Sequence, residues 1–199
     1  MADMLATPAD LASALQRDVD TASATLALEV TTAVVQVGAG GQRIVRATST
    51  DEVLYGGPDR VLRLPQQPVI SVASVSYGGV LLTQGTASGT WRLAKHGIWR
   101  DLGWAGYSWE GPVQVAVTYT HGYDPAGSDS DKQQLQLGRG FTLSLARGLF
   151  TNPDGTIREQ IDDYSVAYAE ASAALDASPS MRALLRKQYG PKARMVSVI

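Results

Sequence analysis

A chain of 199 residues with 44% hydrophobic and 18% charged side chains can bury one real core and has the balance of an ordinary globular protein. Its formal charge of −2, from 17 basic and 19 acidic residues, argues against a surface given over wholly to nucleic acid but leaves room for a local basic patch. Cysteine is absent, which excludes disulfides and thiolate metal sites, and no apolar run reaches the length that spans a bilayer. The start, Met1-Ala2-Asp3-Met4-Leu5, lacks the basic and apolar regions of a secretory leader, so the expectation is a protein made in a cytoplasm and used in solution.

Thr7-Pro8-Ala9-Asp10 reads as an N-cap, a proline at the first helical position and an acid near the positive end of the helix. The pattern predicts a short helix to about Arg17. Asp20 then opens a longer helix, which Gly38-Ala39-Gly40-Gly41 closes. Leu11, Leu15, Val19, Ala22, Leu26, Val30, Ala33 and Val37 recur at steps of three and four and are expected to line the buried stripe. Thr25, Thr31 and Thr32 would lie on the back of the second helix, a nearly uncharged face suited to touching another protein.

From Gln42 to Tyr119 the signals are β. Leu62 and Leu64 share a face, Pro65 and Pro68 punctuate, and Val69 to Tyr77 runs into Gly78-Gly79, a two-residue hairpin turn leading to Val80-Leu81-Leu82. A second hairpin fits Trp91-Arg92-Leu93 and Ile98-Trp99-Arg100 around Lys95-His96-Gly97. Short strands separated by glycine suit a small antiparallel sheet or barrel. All four tryptophans, Trp91, Trp99, Trp104 and Trp109, fall in this insert with Tyr107. They could form a stacking platform for sugars or single-stranded nucleic acid. Filling the space between glycine-rich hairpins is the favoured reading, because the basic residues nearby are only Arg92, Lys95 and Arg100. An aromatic protein interface is a third reading.

Val113, Val115, Val117 and Tyr119 alternate with Gln114, Ala116, Thr118 and Thr120, a strand with one buried face. Gly122, Asp124 and Pro125 stop it and hand over to a helix from near Asp129 or Asp131 to Phe150, with Leu137, Phe141, Leu145 and Leu149 spaced by fours. Gly138, Gly140 and Gly148 each weaken that helix by roughly 1 kcal/mol against alanine, and small residues there permit close approach of a neighbour. Asn152-Pro153-Asp154-Gly155 is a turn, and Tyr164, Val166 and Tyr168 share one face of an extended segment. Ser178-Pro179 begins a last helix that Tyr189-Gly190-Pro191 ends. Arg182, Arg186, Lys187, Lys192 and Arg194 form a basic patch with no acid among them, followed by Met195-Val196-Ser197-Val198-Ile199, an apolar, β-prone tail suited to docking.

The residues hold no constellation that would carry a reaction. His96 and His121 lie in different segments without zinc-ligand spacing, and His121 reads as a turn residue bonding the backbone. Gly106-Tyr107-Ser108-Trp109-Glu110-Gly111 misses the spacing of a nucleophile elbow, and Gly138-Arg139-Gly140 lacks the third glycine of a phosphate loop. Asp162-Asp163 reads as a solvated turn. The expectation is a protein that is not an enzyme and needs no cofactor.

The sequence Thr-Tyr-Thr-His-Gly-Tyr-Asp-Pro at 118–125, the helix after it and Asp163-Tyr164-Ser165-Val166-Ala167-Tyr168 resemble the head-to-tail adaptor (connector) proteins of long-tailed bacteriophages, particularly those of actinobacterial phages. Thr7-Pro8-Ala9-Asp10-Leu11, Val61-Leu62-Arg63-Leu64-Pro65 and Pro68-Val69-Ile70-Ser71-Val72 add to the likeness. The chain carries Asp162-Asp163 where that family commonly has a glycine before Tyr-Ser-Val.

The resemblance implies a virion protein of the neck: a homo-oligomeric ring, dodecameric to match the portal, between the portal protein and the stopper or tail protein. Genomic DNA would pass through its channel without sequence-specific binding. Arg194, Met195, Val196, Val198 and Ile199 are the expected portal contacts. The expected fold is α+β, a helical core from both chain ends with an inserted small antiparallel sheet or barrel. Its parts are N-terminal helices at 1–41, the β insert at 42–120, the C-terminal helical part at 121–190 and a docking tail at 191–199. The alternatives are a carbohydrate- or nucleic-acid-binding module on the tryptophan-rich insert, or another neck protein such as the stopper or tail terminator.

Overall fold

The computed structural model describes residues 4–95, 97–108, 111–151 and 178–190. The fold is α+β. A helical unit is drawn from Met1–Val45 and Tyr123–Ile199, and a β-rich unit from Arg46–Gly122.

In the helical unit the described helices are α1 (Pro8–Leu15), α2 (Thr21–Gly38), α3 (Asp129–Thr151) and α4 (Pro179–Tyr189). α1 opens on a reciprocal cap: the Thr7 hydroxyl accepts the Asp10 amide at 3.2 Å and the Asp10 carboxylate accepts the Thr7 amide at 2.9 Å. It ends at Gln16, which takes the left-handed conformation. Asp20 caps α2 by accepting the Ser23 amide at 2.8 Å. Asp10 also pairs with Arg139 at 2.6 Å, tying α1 to α3.

The buried face of α2 differs from the one its apolar spacing predicts. Ala24, Leu28, Thr31, Val34 and Val35 are buried, whereas Ala22, Leu26, Ala33 and Val37 are exposed; of the predicted stripe in this helix only Val30 is covered. Threonine makes the difference, because its hydroxyl can be satisfied inside a helical core. The Thr31 hydroxyl donates to the Ala27 carbonyl at 2.8 Å, and that of Thr32 accepts the Leu5 amide at 3.3 Å. Both threonines therefore turn inward, and Ala22, Leu26, Ala33 and Val37 turn outward.

α3 meets α4 through Tyr189. Its hydroxyl donates to the Gln134 carbonyl at 2.5 Å and accepts the Gly138 amide at 3.0 Å, thus bridging two groups four residues apart on α3. Leu5, Val35, Ile44, Leu135, Leu145, Leu185 and Tyr189 make one core of this unit, and Leu11, Ala24, Leu28 and Ala146 a second. Gly190 does not take the left-handed conformation that a helix-ending glycine usually supplies. It is needed for space, since a Cβ there would collide with the Arg186 carbonyl.

The β-rich unit holds β1 (Ala47–Tyr55), β2 (Val61–Arg63), β3 (Val69–Tyr77), β4 (Val80–Leu81), β5 (Trp91–Ala94), β6 (Gly97–Arg100), β7 (Tyr107–Ser108), β8 (Gly111–Pro112) and β9 (Gln114–His121). They form a four-stranded sheet ordered β1-β9-β3-β4, a three-stranded sheet β2-β6-β5 and the ribbon β7-β8, antiparallel throughout. Gly78 and Gly79 both have positive φ, 57° and 81°, as the tight turn between β3 and β4 requires. β9 sits in the middle of its sheet and buries Val115, Val117, Tyr119 and His121 on one face. These meet Leu62, Leu64, Val75, Trp91, Ile98 and Trp104, so the core of the unit lies between the two larger sheets. Trp91 and Trp104 satisfy their indole N–H groups on the Leu82 and Arg60 carbonyls, at 3.1 and 3.0 Å.

Candidate assembly interface

The most unusual described surface is the outer side of α2. Among the 18 residues of this helix only Glu29 is charged. Leu26 is 42% and Val37 62% exposed, and Ala22 and Ala33 complete a stripe at steps of four, seven and four. A helix apolar on every side is normally enclosed on every side. Here the inner face meets α3 and its own core, while the outer face presents Ala22, Leu26, Ala33 and Val37 to solvent with Glu29 as the single charge among them.

A second, mostly apolar and hydroxyl-bearing surface lies on the outer face of the four-stranded sheet. Val53, Ala116, Ser76 and Leu81 stand in register across all four strands, with Val53 51%, Leu81 70% and neighbouring Tyr55 61% exposed. Thr48 and Thr120 bond each other across β1 and β9 at 3.2 Å. Asp51, at φ 48° in a bulge of β1, is the acid on this face, and its carboxylate accepts the Thr118 hydroxyl at 3.2 Å.

That bulge turns Glu52 toward the inside, where a polar cluster forms. The Tyr119 phenol donates to Glu52 Oε2 at 2.8 Å and accepts the Gln66 amide at 3.2 Å. Burial first, and then Glu52, push the Tyr119 hydroxyl up to about 12. His121 is not a turn residue bonding the backbone through Nε2; it ends β9, fully buried, with Nε2 3.1 Å from the Ser49 hydroxyl and its ring 5.3 Å from that of Tyr119. A serine beside a histidine invites a nucleophile reading, but such a pair needs a carboxylate orienting the imidazole from its far side. Glu52 is engaged by the phenol instead. The cluster cross-links edge strand β1 to β9 beneath the sheet.

The sequence-predicted site residues divide. Arg182, Arg186 and Lys187 lie on α4, where Arg186 and Lys187 are exposed in the last turn, favourable to the negative end of the helix. Lys192 and the expected portal contacts Arg194, Met195, Val196, Val198 and Ile199 lie outside the described residues, as do His96, Trp109 and the segment holding Asp162, Asp163, Tyr164, Val166 and Tyr168. Among the described residues the tryptophans form no open platform: Trp91 and Trp104 are core residues and Trp99 is half-buried. Arg100 is not a free basic residue; it lies 4.7 Å from the Tyr77 ring and 5.8 Å from that of Trp104 and donates to the Gly89 and Gly103 carbonyls. The surfaces that sequence reasoning missed are the Ala22-Leu26-Ala33-Val37 stripe and the Val53-Leu81 row. Apolar residues spread over both sides of α2 were the available signal for the first.

Among the described residues no group of three histidine, cysteine or acidic side chains could hold a metal ion, and no helix is long and apolar enough to cross a membrane. Compared with known proteins, the chain matches no family model and no curated protein.

Proposed function

We propose that the chain is a structural subunit of a phage neck, a head-to-tail adaptor that works by assembly and catalyses nothing. The observation that carries the reading is the outward stripe of α2. Copies that set this stripe against one another's surface, in a ring around the DNA channel, would bury what the isolated chain leaves wet. The outer face of the four-stranded sheet, whose one named charge is Asp51, supports the same reading, and so does the resemblance of the 118–125 and 163–168 segments to adaptor proteins. In this reading the basic patch of Arg182, Arg186, Lys187 and Lys192 leads into the portal contacts at Arg194, Met195, Val196, Val198 and Ile199.

The test is a pull-down on the portal ring. Deleting Lys192 to Ile199 is expected to abolish capture while circular dichroism stays that of the full chain. Capture undiminished by the deletion would refute the tail assignment.

A further inference from the structure

The outer face of β2-β6-β5 carries charge of one sign. Register places Val61, Trp99 and Arg92 in one row across the three strands, and Arg63, Gly97 and Ala94 in the next. Leu62 and Ile98 point into the core, so alternation puts Val61, Arg63, Trp99 and Arg92 on the opposite side. Val61, Arg63 and Arg92 are exposed and Trp99 is half-buried. The Arg92 guanidinium carbon lies 3.9 Å from the centroid of the Trp99 ring. Stacking of this kind restrains the side chain before any ligand arrives and leaves the guanidinium edges free to donate. Exposed Lys95 extends the charge at one end of the sheet.

Among the described residues no carboxylate pairs with Arg63 or Arg92. Asp101, close in sequence, is occupied by the Ser88 hydroxyl at 2.6 Å and the Gly89 amide at 2.9 Å. The face thus stays basic on a chain whose net charge is −2.

We infer that this face is a contact surface for a nucleic-acid backbone, in which Arg63 and Arg92 take phosphates and Trp99 holds Arg92 in place. Charge complementarity selects the partner, and the arginines, two strand spacings apart across the sheet and two residues apart along it, span about 12 Å, which suits a run of phosphates. Base stacking is not the mode, because Arg92 already covers the Trp99 ring. Binding is therefore independent of sequence and open to duplex and single strand alike. A lipid surface is disfavoured because only Val61 and the covered Trp99 offer apolar contact. This inference stands apart from the assembly reading, since the face could bind nucleic acid whether or not the chain forms a ring.

Fluorescence anisotropy of labelled duplex and single-stranded DNA titrated with the full chain tests it. At about 50 mM salt we expect saturable binding with a Kd in the range of about 10–100 µM, weakening log-linearly as salt rises. R63A/R92A should weaken binding about tenfold and lower the salt slope by about 2, and R92K, which keeps charge but not the stacked fork, should fall between. Circular dichroism of each variant confirms the fold. No saturable rise by about 1 mM, unchanged binding by R63A/R92A, or preference for phosphatidylglycerol vesicles over DNA would overturn the inference.

Discussion

Gly138 and Gly140 are two positions apart in α3 and have opposite surroundings. A Cβ on Gly138 would lie 3.3 Å from Leu5 Cδ2 and 3.4 Å from the Tyr189 hydroxyl, whereas one on Gly140 meets nothing within 4 Å. The Tyr189 hydroxyl cannot retreat without releasing the Gln134 carbonyl and the Gly138 amide. Gly138→Ala should therefore destabilise the chain by about 1 kcal/mol despite its better helix propensity, and Gly140→Ala should stabilise it by about 1 kcal/mol. Thermal melts of the two variants check this, and the same sign for both would contradict it. Asp10 gives a pH signature. Burial raises its carboxyl, but the Thr7 amide and hydroxyl and the Arg139 guanidinium outweigh burial and hold it below its ordinary 3.8. A depressed folded value means the stabilisation is complete above the ordinary value and disappears as pH falls through the folded one. Asp10→Asn should thus cost about 0.5–1 kcal/mol at neutral pH, limited by the exposure of the pair, and nothing once the wild-type carboxyl is protonated. Denaturant melts across acid pH measure the convergence. Local chemistry of this kind was open to reading from the chain: Thr7-Pro8-Asp10, Asp20 and Gly78-Gly79 act on their nearest neighbours and stand where their residue types predict.

At the scale of elements, the proposed association of copies rests on α2. Leu26→Glu with Val37→Glu places two carboxylates on the outward stripe without entering the core, so the subunit should keep its melting point within the effect of ordinary surface changes, about 0.5 kcal/mol. Assembly should fail. Sedimentation of the variant in the presence of portal checks this, and assemblies of wild-type size would contradict it. This face was the least legible part of the sequence. Apolar spacing alone offers α2 two stripes, and the choice between them rests on Thr31 and Thr32, whose buried hydroxyls are satisfied by Ala27 and by distant Leu5. The bulge at Asp51 was hidden for a similar reason: it depends on Thr118, a residue 67 positions away. Strand β9 was readable because its alternation is local and its buried face is continuous.

For the molecule as a whole, each unit has its own core, and the exposed apolar positions fall on α2, on the outer sheet face and at isolated points elsewhere. The polar cluster around Tyr119 and His121 cross-links strands and is assembled for stability. A ring subunit needs this arrangement: cores that fold within one chain, and outward faces finished only by neighbours. The sequence conveyed the α+β architecture through its change from helical to alternating periodicity and back, whereas which surfaces meet other molecules depended on side-chain direction. Electron cryomicroscopy of the particle neck tests the central claim most directly. The account predicts repeated copies of this chain encircling the DNA between portal and stopper, with Leu26 and Val37 covered by the next copy. Absence of the chain from the neck, or a ring in which the outward stripe of α2 faces solvent, would contradict it.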